Sequence, residues 1–280
     1  MSTVVVTSAA TSAATPAAAG PAPRTGRLVL VPNALDFGAE PQPLDAILPS
    51  AVLHAAAQLS HWLVEDAKSA RAFLKRVHGL SPLREPLQSL QITELPRPTK
   101  GPRPADAASD SRALALLLAP LLAPAHAGHD VGLLSEAGLP AVADPGAAVV
   151  ALAHAQGIEV QVLPGPSSLL LALAASGLEG QSFAFVGYLP QDATARRERI
   201  RELEATSRRL RQTQIFIETP YRNAALLAAW LDAGAATTRL SVSIGLTLPE
   251  GWTRTAPIGD WRVRPPTLSP RLPAVFLIQA

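Results

Sequence analysis

Short apolar runs rich in Val, Leu and Ile alternate along this chain with longer segments in which apolar positions recur at helical spacing. The run RLVLV at residues 27–31 stops at Pro32 and predicts a buried strand. Helical spacing follows over residues 47–59. HWLV at residues 61–64 predicts a second strand, and residues 68–77 a helix with Ala70, Phe73, Leu74 and Val77 on one side. Residues 89–95 alternate like a strand, 112–122 are helical, 131–134 form a strand, 146–155 a helix and 158–163 another strand. Strands that are apolar on both faces, alternating with helices, specify a mostly parallel sheet covered on both sides. A very apolar helix is expected over residues 167–175, with Gly177 and Gly180 bracketing a break. A second alternation then runs through a strand at 183–186, a helix at 195–211, a strand at 214–217, a helix at 223–232 and strands at 240–244 and 274–278. The expected fold is α/β, with two lobes over residues 26–165 and 166–280.

Composition narrows this picture. A chain of 280 residues with 48% hydrophobic and 16% charged residues can bury a sizeable core. The first 25 residues carry one charge, Arg24, and are built largely from Ala, Ser, Thr, Val, Pro and Gly, so a disordered leader is expected there. PRPTKGPRPADAASDS at residues 96–111 reads as a polar surface loop or lid. A formal net charge of +2 is too small to indicate a nucleic-acid partner by itself. The absence of cysteine excludes disulfides, thiolate metal sites and a cysteine nucleophile. His126 and His129 form an H-x-x-H without an evident third ligand, so no metal is expected. No apolar stretch reaches the roughly 20 residues of a membrane span; the expected location is cytoplasmic, with no membrane partner.

In α/β proteins ligands bind beyond the carboxyl ends of the strands, and three loops there carry chemistry. One is Ser135-Glu136-Ala137-Gly138-Leu139-Pro140 with the following Asp144-Pro145-Gly146, where Asp144 and Pro145 read as a helix N-cap and first helical position. Another is Pro164-Gly165-Pro166-Ser167-Ser168, a rigid turn that delivers two hydroxyls to a helix start. The third is Glu218-Thr219-Pro220-Tyr221-Arg222-Asn223. Neither G-x-G-x-x-G nor G-x-x-x-x-G-K occurs, which argues against dinucleotide binding of the usual kind and against P-loop chemistry.

Four separated segments, LLSEAGLPAVADPG, VLPGPSSLLLALAASGL, FAFVGYLPQ followed by an Arg pair, and FIETPYRN, resemble the tetrapyrrole-methylase-like superfamily in order and spacing. More closely, they resemble the bacterial small-subunit ribosomal RNA 2′-O-ribose methyltransferase family, over roughly residues 26–245. The resemblance implies two α/β lobes with S-adenosylmethionine in the cleft between them, and a homodimer. It places the cofactor against Pro32, Asn33, Ser135, Glu136, Ala137, Gly138, Asp144, Pro164, Gly165, Ser167 and Ser168. The chain departs from the family pattern in three places. Pro32-Asn33-Ala34-Leu35-Asp36-Phe37-Gly38 stands for T-P-I-G-N-L, Glu65-Asp66-Ala67-Lys68 for E-D-T-R, and Ser135-Glu136-Ala137-Gly138-Leu139-Pro140 for S-D-A-G-T-P.

Methyl transfer to a ribose hydroxyl needs alignment and a route for one proton. Glu218, Glu65 and Asp66 are the candidates for that work, with Glu65 and Asp66 alternatively a helix-start pair favoured by the dipole. The segment 195–211 carries seven Arg against three Glu. It reads either as a salt-bridged solvated face or as a phosphate-contacting surface, in which Arg196, Arg197, Tyr221 and Arg222 would bind ribosomal RNA or the small ribosomal subunit. Two further readings remain open: a tetrapyrrole or other small-molecule methylase, and a non-catalytic relative that still binds cofactor.

Overall fold

The computed structural model describes residues 24–36, 42–96 and 114–280. The expected leader lies outside these residues apart from Arg24 and Thr25, as does the 96–111 loop apart from Pro96. The chain forms two five-stranded sheets. The first contains β1 (Leu28–Val31), β2 (His61–Val64), β3 (Gln91–Glu94), β4 (Val131–Leu134) and β5 (Val160–Val162), in the order β3-β2-β4-β1-β5. All its pairings are parallel. Val29, Val31, Trp62 and Val64 pack on one face with α1 (Ser50–Ala57) and α2 (Ala67–Leu80). Leu28, Leu30, Leu63 and Leu133 pack on the other, where α3 (residues 114–118), α4 (Ala123–His126) and α5 (Ala147–Ala155) supply the cover. Successive side chains point to opposite faces, so strands buried on both sides are apolar at every position.

The second sheet is mixed. Its order is β6 (Phe183–Tyr188), β7 (Thr213–Glu218), β10 (Ala274–Gln279), β8 (Arg239–Ile244) and β9 (Trp252–Pro257). Only β6 and β7 run parallel; β10 is antiparallel to both its neighbours, and β9 to β8. The strand β9 and the short helix α9 (Ile258–Val263) were not anticipated. WTRTAP carries no apolar run because β9 lies at the sheet edge, half-buried from Trp252 to Ala256 and exposed at Pro257. One face of this sheet is covered by α7 (Ala193–Leu210), α8 (Asn223–Ala233) and α9, through Leu203, Trp230 and Trp261. The other face is covered by α6 (Ser168–Ser176), through Leu169, Ala172 and Leu173.

Between the sheets the chain passes through residues 163–167. A further tie joins the first and second sheets' loops: Gln42 Nε2 donates to the Thr247 carbonyl at 2.7 Å, while Arg76 holds Asp36 at 2.8 Å and the Gln42 carbonyl at 2.7 Å. Gly165 sits where the loops after β1 and β5 touch. A Cβ there would lie 2.2 Å from Pro32 Cβ, and neither a proline ring nor the adjoining backbone can yield cheaply. Gly165→Ala is therefore expected to lower stability by about 1–3 kcal/mol, read from the urea midpoint followed by tryptophan fluorescence. An unchanged midpoint would show that the two loops separate freely.

Candidate active site

Because β1, β2, β4 and β5 are parallel, their carboxyl ends share one edge of the first sheet, where the loops singled out in the sequence converge. The carboxyl ends of β6 and β7 face them from the second sheet. A cavity of about 260 Å³ lies between, lined from the first sheet's side by Leu35, Glu136–Gly138 and Ala143–Asp144. The start of α6 contributes Ser167, Ser168 and Leu169, and the second sheet contributes Tyr188, Ile217, Glu218, Thr219, Ser243 and Val275.

Asn33 fixes the first wall without lining it. Its carboxamide donates to the carbonyls of Ser135 (3.3 Å) and Glu136 (2.9 Å), and its backbone exchanges both hydrogen bonds with Gly138. Gly138 has φ +72, a left-handed conformation in which a side chain is strained, and a Cβ there would also crowd Leu35. Pro32, Pro164 and Gly165 belong to the scaffold behind this wall, and Ser135 is buried within it.

Asp144 is not a helix cap. The residue before α5 is Gly146, at φ 122 and with no side-chain cap bond, so the helix starts two residues later than the Asp-Pro pair suggested. Ala141 and Ala143 both take φ 65, a costly conformation for a residue with a Cβ. The carboxyl of Asp144 borders the cavity instead. Burial, then the neighbouring Glu65 and Glu136 carboxylates, push its pKa up to about 7. The Glu65 carboxyl is also raised, by burial against a hydrogen bond from the Glu136 amide. Glu136 itself accepts from the Ser69 hydroxyl.

Of the two acids after β2, Asp66 is the N-cap of α2, accepting from the Lys68 and Ser69 amides at 3.0 and 2.8 Å; Glu65 stands behind Glu136 rather than in the cavity lining. Glu218 does border the cavity. Its Oε2 pairs with Arg222 at 2.9 Å, and its Oε1 accepts from the Thr219 amide at 2.8 Å. Tyr221 is 72% exposed just outside. Arg196 and Arg197 lie in the first turns of α7, which starts just beyond the carboxyl end of β6. There Arg196 donates to the Gln191 carbonyl at 3.2 Å and Arg197 pairs with Asp232 at 2.7 Å.

Sequence reasoning missed Tyr188, Ser243 and Val275, which reach the cavity from strands far apart in the chain. Only Tyr188 had a local signal, a glycine inside a strand pattern.

A family model described as "Tetrapyrrole (Corrin/Porphyrin) Methylases" matches residues 50–260, and the chain belongs to this family. Among individual relatives, "Ribosomal RNA small subunit methyltransferase I" of Pseudomonas aeruginosa is 36% identical over 137 residues, covering 48% of this chain and 47% of the relative. The protein of that name from Vibrio cholerae is 40% identical over 105 residues, covering 38% and 35%. The chain thus spans less than half the length of these curated relatives. Among solved structures, a putative cobalamin synthesis related protein (CobF) from Corynebacterium diphtheriae shares the fold at TM-score 0.51 and 14% identity, over 92% of this chain and 99% of that one. The methyltransferase CobJ aligns at TM-score 0.50 and 17% identity, over 91% and 94%.

The sign of the Asp144 shift has a consequence for stability. Its folded pKa of about 7 lies above the ordinary 3.8, so its contribution to stability is fully present below the lower value and is lost as pH rises toward 7. Asp144→Asn should raise the melting temperature near pH 8 and leave it almost unchanged near pH 4. A gain of equal size at both pH values would show that the carboxyl is not destabilised by its surroundings.

Proposed function

We propose that this chain is an S-adenosylmethionine-dependent methyltransferase whose acceptor is a ribose 2′-hydroxyl of small-subunit ribosomal RNA. The observation that carries the cofactor assignment is the charge of the cavity. Its lining includes Glu136, Asp144 and Glu218 and no Lys, Arg or His among the described residues. Arg222 neutralises Glu218, which leaves the acidic wall of the first lobe uncompensated. Such a wall suits a ligand that brings positive charge, and the sulfonium and ammonium groups of S-adenosylmethionine do so.

When bound, that cofactor supplies an already activated methyl group. The protein's part is then to bind and orient. Glu136 and Asp144 would hold the cationic end, with Ser167 and Ser168 adding hydroxyls at the helix start. Glu218, fixed by Arg222 and Thr219, presents a carboxylate from the opposite lobe that can accept a hydrogen bond from the acceptor hydroxyl. The RNA assignment is supported by the names of the relatives. It is also supported by exposed Tyr221 and by the Arg-bearing start of α7, which lies at the cavity end of the second sheet. A cytoplasmic location follows from that substrate, and no described helix is long and apolar enough to cross a membrane.

The proposal includes a homodimer. On α6 the outward Leu170 and Leu171 are exposed, and Phe183 and Phe185 are exposed on the edge strand β6. This is apolar surface of the kind that a second copy covers. Sedimentation equilibrium should return twice the chain mass, and Leu170→Asp with Phe185→Asp should return the single chain mass; a monomeric parent protein would remove this part of the proposal.

The enzymatic reading is tested with S-adenosylmethionine carrying a labelled methyl group and small ribosomal subunits from a strain lacking this activity. Label should appear in the RNA at a ribose, and Glu136→Gln with Asp144→Asn should weaken cofactor binding by at least about tenfold, as measured by calorimetry. Cofactor binding without RNA labelling would point to a small-molecule acceptor, and absence of cofactor binding would overturn the reading.

A further inference from the structure

The edge strand β6 is irregular at one point. Phe185 is opposite Ile215 and Tyr188 is opposite Ile217, so three residues of β6 match two of β7. Gly187, inside the interruption, takes φ +73, which a side chain rarely adopts. Strand side chains alternate, so in a regular strand Tyr188 would point to the opposite face from Phe185, toward α7. The extra residue reverses this. Tyr188 shares a face with Ile217 and becomes part of the cavity lining while remaining 59% exposed.

The ring's surroundings fit an incoming flat group better than a structural role. A core tyrosine would be buried with its hydroxyl bonded, whereas this one stands at the mouth and no hydrogen bond is formed by its hydroxyl among the described residues. Burial, and then the carboxylates of Asp144 in the first lobe and Glu218 in its own lobe, raise the pKa of the phenol, so it stays neutral. The ring borders the same cavity as the acidic wall assigned to the cofactor and the Glu218 carboxylate assigned to the acceptor hydroxyl. Its neighbour Ile217 extends the apolar surface.

We propose that Tyr188 is a substrate-positioning residue, a shelf on which the base of the acceptor nucleotide stacks, and that the Gly187 bulge turns it into the cavity for this purpose. The inference rests on the RNA reading above and adds to it the residue that sets the acceptor's position. Stacking is sequence-tolerant and depends on the ring face rather than the hydroxyl.

The test measures KM and kcat for small ribosomal subunits, together with S-adenosylmethionine affinity by calorimetry, for the unaltered protein, Tyr188→Leu and Tyr188→Phe. Leucine keeps an apolar group but removes the π-face. Tyr188→Leu should raise KM by roughly 5- to 150-fold, the range of one lost base–aromatic stack, with a smaller effect on kcat and intact cofactor affinity. Tyr188→Phe should restore KM to within a few-fold of the parent. Gly187→Ala, in which the ring is kept but the bulge is strained, should raise KM in the same direction. An unchanged KM in Tyr188→Leu overturns the shelf, and an equal loss in Tyr188→Phe assigns the effect to the hydroxyl and overturns stacking. Lost cofactor affinity in Tyr188→Leu places the ring against the cofactor and also overturns the proposal. If the unaltered protein binds cofactor and leaves the subunits unmethylated, the RNA reading itself fails, and the nucleotide shelf fails with it.

Discussion

The carboxamide of Asn33 holds the acidic wall in place. It spans from the end of β1 to the loop after β4, satisfying two carbonyls there, while its backbone pairs with Gly138. Buried carbonyls left unpaired are costly, so this contact decides which way the loop's peptides face. That orientation turns the Glu136 amide toward Glu65 and leaves the side chains of Glu136 and Asp144 at the cavity. Although the first loop departs from its family pattern, Asn33 in it makes these bonds.

The two walls differ electrostatically for a reason visible in their partners. In the second lobe, Glu218 has a guanidinium and a backbone amide for its two oxygens, so its charge is locally balanced. In the first lobe, three carboxyl groups share one region, and burial makes their mutual repulsion felt. The arrangement divides labour: one side receives positive charge and the other offers a fixed acceptor. Apolar walls from Leu35, Ile217 and Val275 reduce competition from water.

The first sheet was legible because burial on both faces leaves an uninterrupted apolar run in each of its inner strands. Strand direction has no such signature. The antiparallel placement of β10 between β7 and β8 depends on the long path through β9 and α9, and WTRTAP at a half-buried edge looks like a loop in hydrophobic periodicity. The site divides in the same way. Loops at the ends of β4, β5 and β7 announced themselves by Gly, Pro and carboxylates close together in sequence, whereas Ser243 and Val275 meet at the cavity only because β8 and β10 are neighbours. Asp144-Pro145 looked like a helix start because Asp and Pro favour that position; the actual boundary at Gly146 was set by a left-handed backbone that the sequence pattern does not encode. The Arg pair at the start of α7 was legible as charge, but its internal partners Gln191 and Asp232 were not.

The elevated Asp144 carboxyl makes the cavity a proton acceptor as well as a cation acceptor. With its pKa pushed up to about 7, this group is protonated in part of the population near neutrality. A cation that settles against the charged carboxylate favours release of the proton, and a falling pH weakens the hold on the cation. Loading the cavity is therefore coupled to partial release of a proton. The occupancy of the site is tied to the acidity of its surroundings through a single side chain, held in position by a loop with a strained backbone.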